Sequence, residues 1–152
     1  MNGNSYTAKV IGIDPLNDIA VIQVHPSALH EEKIQSLPLA NSSKLKIGSP
    51  VVAIGSPLGL TGSMTQGIVS QINRVEHSLF YPTLWISGLI QIDAPITHGN
   101  SGGPLLNYDG EVIRISDRGV AHSRLGTAAE EPNIGLAISA DTLKRIVPVL
   151  IS

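Results

Sequence analysis

Gly99-Asn100-Ser101-Gly102-Gly103-Pro104 is the stretch of this chain best suited to covalent chemistry. A serine hydroxyl attacks a carbonyl only if a base takes its proton and donors hold the oxyanion that forms. Gly99 and the Gly102-Gly103 pair permit a tight loop with positive backbone angles, so that consecutive amide N–H groups converge while the hydroxyl stays exposed. A bare Ser-Gly-Gly is better read as an ordinary hairpin turn, so its surroundings must decide.

Such a loop has to hang from a rigid frame. The 152 residues suit one compact domain or two small barrels packed together. Hydrophobic residues make up 42% and charged ones 14%, with 15 Gly and 10 Pro, a folded and turn-rich composition rather than a disordered one. Residues 6–13 alternate and end on the turn Asp14-Pro15, and a second β-branched run covers 19–24, which predicts two neighbouring strands. Short β-rich runs follow at 51–54, 63–75, 89–94, 105–106, 111–115 and 134–138, punctuated by Gly and Pro, the pattern of an all-β barrel. Turn formers over 37–43 place a boundary near 44 and divide the chain into 1–44, 45–138 and 139–152. Ser139 as cap, Asp141 in the first turn, and Leu143, Ile146 and Val147 on one face predict a helix over 140–147, which Pro148 then disturbs. Residues 77–85 and 125–132 read as loops.

Composition also excludes classes of function. A net charge of -2 without a basic run gives no electrostatic footprint for nucleic acid. The lack of Cys rules out disulfides, thiolate metal sites and a cysteine nucleophile, and no cofactor or metal is implied. No apolar stretch approaches the ~20 residues of a membrane-spanning helix. The first six residues have neither a basic start nor an apolar signal core, so an export signal or anchor is expected outside this sequence.

Around the serine loop stand Gln91-Ile92-Asp93-Ala94-Pro95-Ile96 before it and Leu105-Leu106-Asn107 and Asp109-Gly110-Glu111-Val112-Ile113 after it. Ile11-Gly12-Ile13-Asp14-Pro15 and Asp18-Ile19-Ala20-Val21-Ile22 lie upstream, then Ala53-Ile54-Gly55-Ser56-Pro57-Leu58-Gly59 and Thr65-Gln66-Gly67-Ile68-Val69-Ser70, with Asn133-Ile134-Gly135-Leu136-Ala137-Ile138 near the end. In these motifs, in order over nearly its whole length, the chain resembles the HtrA (DegP-like) branch of the trypsin-like serine proteases. The resemblance implies an all-β trypsin-like double β-barrel, the first barrel incomplete and the second complete, with a short C-terminal helix. It further implies a serine endopeptidase acting on unfolded polypeptides through an acyl-enzyme, in an extracytoplasmic setting.

Carried over residue by residue, the resemblance makes Ser101 the nucleophile, Asp18 the carboxylate that orients the base, and residues Gly99, Asn100 and Ser101 the oxyanion-hole segment, with the amides of Gly99 and Ser101 as donors. A carboxylate opening the apolar run 19–22 can be buried and fixed as that role requires. Asp14 is the nearer rival, but its Asp-Pro turn gives it a structural reason of its own. Ile96 matches a position that helps line the primary specificity pocket, which implies small or branched apolar side chains before the scissile bond; plain barrel core is the competing reading. Arg114, Asp117 and Arg118 depart from the small or apolar residues usual in the substrate-pairing strand, either as solvated loop charges or at the pocket mouth.

The base is the larger departure. In this family the histidine precedes the aspartate, yet none of residues 1–17 is His, and His25, His30, His77, His98 and His122 all follow Asp18. Triads recur in other chain orders, but His98 reads as a partly exposed loop side chain and the rest sit beside Pro or in polar loops. The simpler expectation is that the first strands of the N-terminal barrel, histidine included, lie outside this sequence. An incomplete barrel exposes edges and apolar surface, which predicts a homo-oligomer or swapped assembly. Without a base, negligible peptidase activity is expected. The alternative is a catalytically silent peptide-binding or scaffolding module on the same barrel.

Overall fold

The computed structural model describes residues 5–25, 36–41, 44–77, 81, 83–121 and 130–152, with the side chains of 117–121 and 130–133 outside the description. Eight strands and one helix follow in order: β1 (Ala8–Asp14), β2 (Ile19–Val24), β3 (Pro50–Gly55), β4 (Ser63–His77), β5 (Trp85–Ile92), β6 (Pro104–Leu106), β7 (Val112–Ala121), β8 (Glu130–Ser139) and α1 (Ala140–Leu150). β1 and β2 form a two-stranded antiparallel sheet. The other six close into a barrel in the order β3-β4-β5-β8-β7-β6, with β6 pairing back onto β3. The all-β reading holds, with one closed barrel and an open ribbon beside it.

Strand alternation fills the barrel. Val51 and Ala53 of β3, Ile90 and Ile92 of β5, Leu105 of β6 and Ala137 of β8 point into one buried cluster, which Ala40 and Ile96 join from the connecting segments. β5 and β8 are buried on their outer faces too. Leu89, Leu136 and Ile138 form a second cluster with Ile19 of the ribbon and Leu143 and Ile146 of α1. That double burial is why Leu89-Ile90 of β5 and residues 134–138 of β8 read as continuous apolar stretches rather than as alternation.

α1 starts as expected, with the Ser139 side chain accepting from the Thr142 amide at 3.0 Å. It runs on through Pro148 to Leu150. Proline removes one intrahelical donor, but Leu143, Ile146, Val147 and Leu150 still dock on the second cluster, and tertiary packing outweighs the lost bond. Gly12 of β1 lies against that helix end, where a Cβ would stand 2.7 Å from the Leu150 carbonyl oxygen.

Two loop expectations need correction. Glu130-Glu131-Pro132 belongs to β8, paired with β7 at Ala121↔Glu130, while 125–129 lie outside the described residues. Likewise β7 continues to Ala121 through charged Asp117 and Arg118, because ladder pairing with β8 carries it where apolar patterning ends. Residues 77 and 85 are the closing pair of the β4–β5 hairpin, and the His77 and Trp85 rings stack with centroids 3.6 Å apart.

Candidate active site

Ser101 sits on the loop between β5 and β6, fastened on two sides. Towards β7, the Gly102 amide donates to the Ser116 carbonyl at 2.7 Å and the Ser116 amide to the Gly103 carbonyl at 2.8 Å. Towards the segment after β3, the amides of Ser56 and Leu58 donate to the carbonyls of Gly99 (2.9 Å) and His98 (3.1 Å). Within the loop, Asn100 N–H donates to Thr97 and Gly103 N–H to Asn100, at 3.0 and 2.9 Å.

These bonds leave a specific remainder. The N–H groups of Asn100, Gly102 and Gly103 are committed, whereas those of Gly99 and Ser101 donate to no acceptor among the described residues. Gly99 holds φ at 101° and Gly102 at 81°, in the left-handed region that favours glycine. A Cβ on Gly99 would collide with the Ser56 carbonyl, one on Gly103 with the Ile54 carbonyl, and one on Gly55 would lie 2.7 Å from Asn100 Cα. Three glycines thus let the serine loop lie flat on the end of β3. Gly55 was visible in the sequence only as part of a motif; the signal for its role is a close backbone approach, which sequence does not encode locally.

Asn100 is buried beneath the loop, with its Nδ2 3.5 Å from the Pro95 carbonyl and its Oδ1 without a partner among the described residues. Ser101 itself is exposed, and its hydroxyl has no partner among the described residues.

Asp18 closes the β1–β2 turn at φ 53°, a left-handed conformation that Asp tolerates better than most residues. Its neighbour Asp14 is spent on that turn, accepting from the Leu16 and Asn17 amides at 3.0 and 3.2 Å and from Asn17 Nδ2 at 2.7 Å. Asp18 is exposed, not buried as its place at the head of an apolar strand suggested, because it stands on the outer turn rather than within the ladder. Asp18 and Ser101 nevertheless line one cleft of about 1180 Å³, walled by Ile13 and Ile22 of the ribbon, Ile138 of the barrel, and Leu143 and Val147 of α1.

The remaining candidates fall elsewhere. Ile96 is 3% exposed within the barrel core, against Gly135, and is not among the cleft-lining residues. His98 is exposed on the serine loop and His25 follows β2; neither lines the cleft, while His30 and His122 lie outside the described residues. Arg114 is neither a solvated charge nor a pocket-mouth residue. It is 4% exposed, donates from a terminal guanidinium nitrogen to the Gly88 carbonyl at 2.6 Å, and leaves Nε without a partner among the described residues. Burial pushes its pKa down to about 9, with Asp141 acting in the opposite direction. Asp117 and Arg118 fall where side chains are not described. Among the described residues no cluster of His, Asp or Glu is arranged to hold a metal ion.

A closed antiparallel barrel with a glycine-framed serine loop and a flanking ribbon has the architecture of a serine-peptidase domain. The chain belongs to the family of trypsin-like peptidase domains, whose model matches residues 1–115, and to its HtrA (DegP-like) branch. It is 38% identical over 151 residues to a probable periplasmic serine endoprotease DegP-like of Chlamydia trachomatis, covering 99% of this chain and 28% of that protein. It is 40% identical over 146 residues to serine protease HTRA3 of Homo sapiens, covering 96% of this chain and 29% of the relative. Among solved structures, the HtrA-type protease AlgW with decapeptide superposes at a TM-score of 0.80 with 27% identity, over 99% of this chain and 42% of that one. The chain therefore spans less than a third of the length of these two relatives.

Proposed function

We propose that this chain supplies the acylation site of an HtrA-type serine endopeptidase acting on unfolded polypeptides. Ser101 is the nucleophile, the amides of Gly99 and Ser101 receive the oxyanion, Asn100 is the buried spacer that sets them apart, and Asp18 orients the base. Ile96 contributes apolar bulk from the barrel core, behind the pocket for the residue before the scissile bond. Segments 1–44, 45–138 and 139–152 act as ribbon unit, barrel and docking helix. One observation carries the reading: Asp18 of the ribbon and Ser101 of the barrel loop line one cleft, and the two amides assigned to the oxyanion are the two within residues 99–103 that donate to no acceptor among the described residues.

Turnover needs a general base, and the five histidines all follow Asp18. This favours a second reading, a peptide-binding module without catalysis. A fluorophosphonate probe separates the two. Slow covalent labelling mapped to Ser101 and abolished in Ser101→Ala supports the acylation site, with casein left essentially uncut by this chain alone. Peptide binding indifferent to Ser101→Ala, with no adduct at any time, supports the silent module. The exposed ribbon supports self-association, and the relatives named periplasmic support a setting outside the cytoplasm, which fractionation of a tagged full-length protein checks.

A further inference from the structure

Three buried side-chain polar atoms have no partner among the described residues: Asn100 Oδ1, Arg114 Nε and Ser116 Oγ. Of these three residues, Ser116 alone lines the cleft that holds Ser101. Its backbone is fixed beside the nucleophile loop, accepting from the Gly102 amide at 2.7 Å and donating to the Gly103 carbonyl at 2.8 Å. Its ladder partner across β7 and β8 is the buried Ala137, whose methyl offers the hydroxyl nothing to bond. The other polar groups of the cleft have partners or meet water. Asp14 is held by the turn amides, Lys144 donates to the Ala40 carbonyl at 2.8 Å, Tyr81 is engaged, and Asp18 and Ser101 are exposed to solvent. Ser116 is 1% exposed, so bulk water does not reach it, and its unmade hydrogen bond is a cost that a group seated against the cleft wall relieves.

We propose that Ser116 is a specificity-determining residue: its hydroxyl selects a small substrate side chain that itself bears a hydroxyl, threonine or serine, at the residue before the scissile bond. This rests on the reading of Ser101 as nucleophile and of the Gly99 and Ser101 amides as oxyanion donors. A carbonyl carbon attacked by Ser101, with its oxygen at those amides, carries its own side chain alongside the loop, where Ser116 is the bonded neighbour of residues 102 and 103. The Ser116 hydroxyl both donates and accepts, so a second hydroxyl satisfies it in either sense. Ile115, Ile138 and Val147 line the same cleft and suit the methyl of threonine. A charged side chain would shed its water against a wall that offers one hydroxyl in return, which disfavours it. Valine is the informative competitor, because it matches threonine in shape and leaves Ser116 unpartnered. The resemblance implied small or branched apolar side chains here; Ser116 keeps the size and changes the polarity.

The test uses two peptidyl phosphonate phenyl esters that differ only in presenting a threonine or a valine side chain beside the phosphorus, with Ser101 adduct formation on the full chain followed by mass spectrometry. The Ser101 Oγ–P bond forms, one P–O bond to phenyl breaks, phenoxide leaves with the bonding pair, and the hydroxyl proton passes to water. The threonine reagent is expected to react about tenfold faster, the worth of one hydrogen bond. Ser116→Ala should bring the ratio to about one by slowing the threonine reagent, with an unchanged or higher urea midpoint because a buried unpaired hydroxyl is removed. Ser116→Thr, which keeps the hydroxyl, should keep the preference. A ratio near one in wild type, or a preference that survives Ser116→Ala, overturns the assignment. No adduct with either reagent overturns the nucleophile reading instead, and the specificity is then read from two peptides ending in threonine or valine, by titration of the Ser116 and Gly102 amide resonances. About tenfold tighter binding of the threonine peptide, lost in Ser116→Ala, supports the assignment, and equal binding overturns it.

Discussion

Gly99 concentrates the demands of the site in one residue. Its φ of 101° is strained for any L side chain, and a Cβ there meets the Ser56 carbonyl that the loop is bonded beside. Gly99→Ala should therefore cost about 1–3 kcal/mol, read as a lower urea midpoint, and should abolish Ser101 labelling even in molecules that remain folded. Arg114 makes the opposite case, a polar group accepted deep inside at a cost. Its pKa is lowered in the fold to about 9 from 12.5, chiefly by desolvation. Below pH 9 both folded and unfolded chains hold the proton and the fold bears the burial penalty; as pH rises through about 9 the folded state binds fewer protons than the unfolded one, so this residue's contribution to stability increases. Urea unfolding between pH 8 and 10.5 should show wild type gaining on Arg114→Met across that window. A flat difference would remove Arg114 as the cause.

At the scale of elements, α1 ties the ribbon to the barrel, touching β1 at Gly12 and seating Leu143 and Ile146 in the cluster that includes Ile19. Its first turn depends on Ser139, whose side chain accepts the Thr142 amide. Ser139→Ala should destabilise the protein by about 1 kcal/mol. Since α1 also walls the cleft through Leu143 and Val147, hydrogen exchange in the ribbon should accelerate along with that in the helix. Protection lost in the helix alone would mean that the ribbon is held by other contacts.

For the whole molecule, the ribbon is the weak partner. Two-stranded sheets are marginal alone, and this one leaves Val10, Ile13 and Ile22 exposed at 54%, 60% and 63%. Neither β1 nor β2 pairs with another strand among the described residues, so each offers a free edge. Sedimentation should show a concentration-dependent dimer or larger species, and Val10→Lys with Ile22→Lys should return it to monomer. A single monomeric boundary at high concentration would count against association through this face.

Much of this was legible in the residues themselves. The β1 and β2 runs, the β3 and β6 segments, the Ser139 cap and the glycine frame of Ser101 all follow from preferences that act within a few residues. Strand periodicity, side-chain capping and positive backbone angles are local, so they leave local marks. Other features depended on contacts across the chain. The ladder with β8 drew Asp117 and Arg118 into a strand, docking carried α1 past Pro148, and the approach of β3 to the serine loop gave Gly55 its purpose. Arg114 was buried because strand pairing turned it towards Gly88, and Ile96 was placed in the core by the barrel that closed around it. The meeting of Asp18 with Ser101 in one cleft belongs to this second kind. Their residue types announce chemistry in the sequence, but only the packing of ribbon, helix and barrel brings them to the same space.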